Sequence, residues 1–310
     1  MARVRNVGET YEVMKAFVDG RAYPHQTRLS RIGIDGYSYE KGRRVFHKGN
    51  VIYSYGMHFA LAWKLGNGIF LLNGDEYSVT TRKHQSDLRS ALGGEEKYTI
   101  SQSAFENAGI NPFEIDIIDS VGDATGNTYE GKNWLEKMPM GATLFYRKGV
   151  PYRWHRAATL AFKDEQNRYW LCGFDEGSYF LSRLPRRVIS LVDAYESLKP
   201  DMVIKAEAKN IEVLRQGEWF FIPKANGAFS KRFYKKCLPA KPFTLPRDDR
   251  RSNPHTATRG GMFNGVLIVS GAINHPEHRS LRLSKATNPA LYFAYKNTAT
   301  DNFSADGGVD

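Results

Sequence analysis

Apolar and polar residues alternate in short runs along most of this chain, and glycine, asparagine and lysine break the runs. That pattern predicts many short strands with few helices between them. Residues 43–46 and 51–55 flank Lys48-Gly49-Asn50, and residues 59–64 and 69–72 flank Gly66-Asn67-Gly68, as in two hairpins. Asn73-Gly74-Asp75 turns the chain before a further strand at 77–79. Thr80 or Thr81 then caps a helix whose buried stripe is Leu88, Ala91 and Leu92 and which Gly93 and Gly94 stop. Ser103 and Glu106 have capping-box spacing for a short helix ending at Gly109.

Residues 114–131 hold five carboxylates and no lysine or arginine, and glycines make the stretch turn-rich. Strands return at 144–147 and 151–155, then at 160–163, 169–172 and 179–184. Ser190 with Asp193 opens a helix, Pro200 suits the first turn of another that ends near Asn210, and 218–222 is again strand. Prolines 239, 242, 246 and 254 make an extended arm, 262–273 a hairpin around Asn264-Gly265, and the polar end after Asn297 is expected to fray. The fold class expected is α+β, mainly antiparallel sheets with a few packing helices. Its expected parts are a sheet-plus-helix unit at 1–113, an acidic connection at 114–141, a second sheet with helices at 142–228, a basic extended arm at 229–260 and a C-terminal hairpin with its tail at 261–310.

Charge changes this picture because it is unevenly placed. Of the net charge of +11, residues 21–50 carry +5 and residues 231–260 carry +7, which leaves the rest close to neutral. Concentrated positive charge favours polyanions, since each neutralised phosphate releases counterions. No run is apolar enough to span a membrane, and the first residues lack the apolar core of a secretion signal, so no membrane partner and a cytoplasmic location are expected. Cys172 and Cys237 have no ligand spacing, which fits a reducing compartment.

Candidate chemistry centres on three places. Residues 53–92 gather Tyr53, Tyr55, His58, Phe59 and Trp63 ahead of Arg82-Lys83-His84-Gln85, which has the character of a binding surface. In 151–156, period two puts Tyr152 and Trp154 on one face and Arg153 and His155 on the other, so rings can stack bases while cations hold phosphates. The same alternation is what a strand with its aromatic face in the core produces. His255, His275 and His278 are candidate acid, base or ligand groups, although Ala257 and Glu277 stand where a two-histidine phosphoesterase pattern has hydroxyls. Glu114, Asp116, Asp119 and Asp123 alternate with apolar residues as on a strand with one wet face, and no metal site is expected from them. Phosphate-loop, dinucleotide-turn, zincin, nucleophile-elbow and CxxC motifs do not occur, and no cofactor is implied.

The stretches Val51-Ile52-Tyr53-Ser54-Tyr55-Gly56-Met57-His58-Phe59, Tyr77-Ser78-Val79-Thr80-Thr81 with His84-Gln85-Ser86, and Arg215-Gln216-Gly217-Glu218-Trp219-Phe220-Phe221-Ile222-Pro223 resemble hypothetical proteins encoded by bacteria and their phages or mobile elements. That group has no assigned activity, so the resemblance transfers no site residue.

The leading expectation is a nucleic-acid-binding protein, RNA slightly preferred because aromatic sheet faces suit unstacked bases. Tyr53, Tyr152 and Trp154 would stack. His58, Arg147, Arg153, Lys231, Arg232, Lys235, Lys236, Arg250, Arg251 and Arg259 would complete the contacts. One alternative is a phosphodiester-cleaving enzyme, which requires the three histidines to converge near a carboxylate. Another is a protein-binding factor, such as a phage-encoded inhibitor of a host system, in which the basic arm meets an acidic partner.

Overall fold

The computed structural model describes residues 7–22, 26–27, 30–32, 39–41, 44–121, 144–147, 150–153, 159–175, 178–224, 238–239, 241–246, 253–276, 278–283 and 291–304. The fold is α+β with mostly antiparallel sheets. Contacts divide the chain into two compact units, residues 1–182 with 303–310, and residues 183–302. Within the acidic stretch at 114–141, Asp116–Val121 is a strand paired with Thr159–Lys163. Residues 122–141 lie outside the described ones.

In the first unit a seven-stranded sheet runs in the order Val7–Gly8, Gln26–Thr27, Val45–Lys48, Val51–Ser54, Ala60–Lys64, Phe70–Asn73, Lys97–Ile100. Its middle is an antiparallel meander. The last strand joins in parallel because helix α2 (Val79–Leu92) carries the chain back across the sheet. Alternation sorts the side chains to two faces. Val51, Trp63, Leu71, Tyr98 and Ile100 pack with Phe105, Leu160, Phe162, Trp170 and Leu181. Ile52, Leu61, Phe70 and Leu72 instead meet Val13, Met14 and Phe17 of α1 (Thr10–Val18) and Leu88 and Ala91 of α2. A five-stranded sheet, Asp116–Val121, Thr159–Lys163, Tyr169–Asp175, Ser178–Arg183 and Asp301–Ser304, supplies the first of those partner sets together with α3 (Gln102–Ala108).

Three local expectations are corrected. Residues 77–79 form no strand: Ser78 caps α2 by accepting the Thr81 N–H at 3.1 Å, so the helix starts at Val79 and Tyr77 stays in an exposed loop. Ser101, not Ser103, caps α3, accepting the Ala104 N–H at 3.1 Å. The segment after Asn297 is not wholly frayed, since Asp301–Ser304 is an edge strand and Phe303 packs on the core.

The second unit is built on the strands Leu214–Gln216, Trp219–Pro223, Tyr292–Lys296, Val266–His275, Thr256–Phe263 and Phe243–Thr244 in that order, with His278–Arg282 also pairing Val266–His275. Short helices α4 (Leu191–Ser197) and α5 (Asp201–Glu207) flank it, and Val203 and Ala206 of α5 bury against Phe220 and Ile222. Ser190 caps α4 as its spacing with Asp193 predicts. Part of the expected arm is packed: Phe243–Thr244 pairs with residues 256–257, and Leu238 and Leu245 are buried.

Candidate nucleic-acid interface and a histidine cluster

The strand Val51–Ser54 ends at Tyr55, whose backbone is left-handed at φ 61°. A bulky residue there is strained, by roughly 1–3 kcal/mol. The turn breaks the period-two alternation. Tyr53 therefore stacks on Phe46, with ring centroids 5.2 Å apart, and packs on the core, whereas Tyr55 is 45% exposed. Burial raises the Tyr53 hydroxyl pKa. Tyr53 is thus half-buried against the core, and Tyr55 is the ring of this pair that faces outward.

Beside Tyr55 the loop exposes Met57 and His58, and the loop before α2 exposes Tyr77 at 56%. The His58 and Tyr77 rings meet edge to face at 6.2 Å, and Tyr77 also touches Phe59. A Cβ at Gly56 would lie 2.5 Å from His58 Nδ1, so the imidazole occupies the space a side chain would take.

Three amides hold these loops in place. Asn73 donates through Nδ2 to the Ala60 carbonyl at 2.8 Å and to Gln102 Oε1 at 3.1 Å. Gln85 donates to the carbonyls of Asn73 and Asp75 at 2.8 and 2.9 Å. Gln102 donates to the His58 carbonyl at 3.0 Å. Polar side chains spent on loop carbonyls are the support that an ordered binding surface needs.

Beneath Tyr55, the buried His84 on α2 bonds through Nδ1 to Ser54 Oγ at 2.9 Å, and its ring lies 5.5 Å from the Tyr55 ring. Burial lowers the His84 pKa; Asp87 opposes this, and Arg44 and Lys83 add to it. The imidazole is therefore neutral at pH 7. Around this face Arg44, Arg82 and Lys83 are exposed, with Arg82 paired to Glu76 at 2.6 Å.

Other expected contacts distribute unevenly. Arg147, Tyr152 and Arg153 lie on the hairpin Leu144–Arg147 and Val150–Arg153, which places Tyr152 opposite Phe145, but their side chains lie outside the described residues. So do Trp154, Lys231, Arg232, Lys235, Lys236, Arg250 and Arg251. Arg259 is exposed on the strand Thr256–Phe263 of the second unit.

The histidine cluster belongs to that same unit. His255 and His275 stack with centroids 4.3 Å apart, and His255 Nδ1 lies 3.6 Å from Glu218 Oε1. His275 Nε2 contacts the Asn253 carbonyl at 2.8 Å; a carbonyl only accepts, so this nitrogen carries the hydrogen. Two register shifts, between Ala257 and Arg259 and between Ile273 and His275, flank the pair. His278 sits opposite His275 in the ladder, with its side chain outside the described residues. His255 is only 2% exposed, so the pair reaches solvent through His275. Sequence spacing pointed to the histidines but not to Glu218, which a turn two residues past Gln216 brings in.

Among the described residues no group of three or more His, Cys, Asp or Glu is arranged to hold a metal ion, and Asp116 pairs with Lys163 at 3.4 Å. No described helix is long and apolar enough to cross a membrane. No family model matches the chain, and no curated protein and no solved structure matches it.

Proposed function

We propose that this protein binds single-stranded nucleic acid, RNA preferred, through the ring-bearing face of its first unit. The observation that carries the reading is the exposure of Tyr55, His58 and Tyr77 on two amide-braced loops beside Lys83 and Arg44. Rings offer stacking surface to unpaired bases, at about 1–3 kcal/mol per base, and the cations hold the connecting phosphates. The net charge of +11 adds a long-range attraction. Filter binding of a fluorescent single-stranded RNA is expected to weaken steeply with salt. Tyr55→Ala or Tyr77→Ala should each cost about five- to 150-fold in affinity. Lys83→Gln should lower the salt slope by about 0.7 for each phosphate that the lysine neutralises. Retention of no single-stranded or duplex oligonucleotide at low salt overturns the reading.

A second reading, phosphodiester cleavage, is favoured by the stacked His255 and His275 beside Glu218. In such a reaction one imidazole takes a proton from the attacking hydroxyl and the other gives one to the leaving oxygen. Incubation with labelled RNA tests it: a bell-shaped pH profile that disappears in His275→Ala supports cleavage, and an intact substrate refutes it.

A further inference from the structure

The second unit contains a cavity of about 180 Å³, lined by neither His255 nor His275. Its apolar wall is Leu198, Val213 and Phe220. A site of roughly 150 Å³ holds one benzene-sized group, whereas drug-sized ligands usually need about 300 Å³ or more. One small ring therefore fits.

The charged groups of the cavity are already matched. Lys199 Nζ lies 2.7 Å from Glu196 Oε1 and 2.7 Å from Glu207 Oε2, and both glutamates are exposed. Arg215 donates through Nε to the Gly217 carbonyl at 2.9 Å, stands over the Phe220 ring at 5.7 Å and has a further partner besides. A charged guest would give up hydration on entry and meet no unmatched counter-charge, so a neutral guest is favoured. Asn297 differs from these groups. Its backbone N–H donates to the Glu218 carbonyl at 2.8 Å, but among the described residues nothing bonds its side-chain amide, and Oδ1 is sealed from solvent. A buried amide oxygen without a donor is unfavourable, and a guest that supplies one removes the penalty. The terminal torsion of asparagine is broad, so rotation presents the amide edge to the cavity that the residue already lines. That edge sets an acceptor beside a donor. Its complement is a planar ring with an N–H beside an acceptor, the kind of edge by which asparagine reads a nucleobase.

We infer that this cavity binds a neutral single-ring base of the uracil type, a six-membered ring with an N–H beside a carbonyl. The ring rests on Leu198, Val213 and Phe220, its N–H donates to Asn297 Oδ1, and its carbonyl accepts from Asn297 Nδ2. A free base and a nucleoside whose sugar stays outside share this chemistry. The inference does not depend on RNA binding, because every group involved belongs to the second unit and the exposed rings belong to the first.

Calorimetry of the full-length protein with uracil tests it, alongside uridine, 1,3-dimethyluracil, which has no N–H, and orotate, which carries a charge. Uracil is expected to bind with a Kd of about 1 mM or below, and 1,3-dimethyluracil and orotate at least about tenfold more weakly. Uridine binding as tightly as uracil supports the site with a nucleoside as its source, and uracil binding alone supports it with the free base. Asn297→Leu should weaken uracil by about tenfold and erase its advantage over 1,3-dimethyluracil. If that variant does not fold, Asn297→Ala decides in its place. Tyr55→Ala should leave uracil affinity unchanged, which separates this site from the rings of the first unit. No uracil binding up to about 10 mM, equal binding of 1,3-dimethyluracil, or full uracil affinity in the Asn297 variant overturns the assignment.

Discussion

Tyr55 and His84 form a unit in which each side chain explains the other. Ser54 binds the His84 ring, and the His84 ring lies under the Tyr55 ring that a left-handed backbone has turned outward. Because burial lowers the folded pKa of His84 below the usual 6.5, the unfolded chain takes up the proton first as pH falls. This contribution to stability is intact above about pH 6.5 and fades progressively below it. Denaturant midpoints measured from pH 7.5 to 5 should fall, and His84→Gln should flatten that part of the curve. The rings themselves were legible in the sequence, but their direction was not. Period two puts Tyr53 and Tyr55 on one face, and only the positive φ at Tyr55 sends them apart. Likewise Gln85 and Gln102 read as ordinary surface residues until the loop carbonyls they hold are known.

At the level of elements, periodicity locates α2 and α3 but misses α1, and it places the two caps two or three residues away. Several hydroxyls stand around the start of each helix, at 78, 80 and 81 and at 101 and 103, and local spacing cannot choose among them. Tertiary fit chooses. Thr81 is buried, and its hydroxyl turns back to Ser78 at 3.0 Å, while the Ser103 N–H is taken by Asp75 at 2.8 Å. In the second unit the strand Val266–His275 passes Thr258 with almost no clearance. Gly271 has φ 89°, and a Cβ there would stand 2.7 Å from Thr258 Cβ. Gly271→Ala should therefore cost about 1–3 kcal/mol, read as a lowered unfolding midpoint. Thr258→Ser should recover little of it, because the strained backbone remains.

On the scale of the whole molecule, the α+β class and the antiparallel sheets follow from alternation and turns. The unit boundary does not. The strand Ser178–Arg183 reads like its neighbours, and its partner Asp301–Ser304 lies far along the chain in a stretch too polar to announce itself. Cys172 reports on the first unit. It is fully buried, and burial pushes its thiol up to about 12, so it should resist alkylation until that unit unfolds. In a Cys237→Ser background, iodoacetamide labelling across a denaturant series should track loss of that unit's circular dichroism. Labelling well before the transition would contradict the packing.

Where the chain leaves the first unit and comes back, its two passes stay side by side. The Thr300 N–H donates to the Arg183 carbonyl at 3.1 Å, and Arg183 pairs with Asp301 at 3.2 Å. The second unit is thus a cassette inserted in the sequence of the first, between two strands that neighbour each other in one sheet. A chain shortened there by a glycine-serine bridge from Arg183 to Thr300 should still complete the five-stranded sheet, read as a retained cooperative unfolding transition, while its RNA affinity falls because the net charge of +11 leaves with residues 184–299.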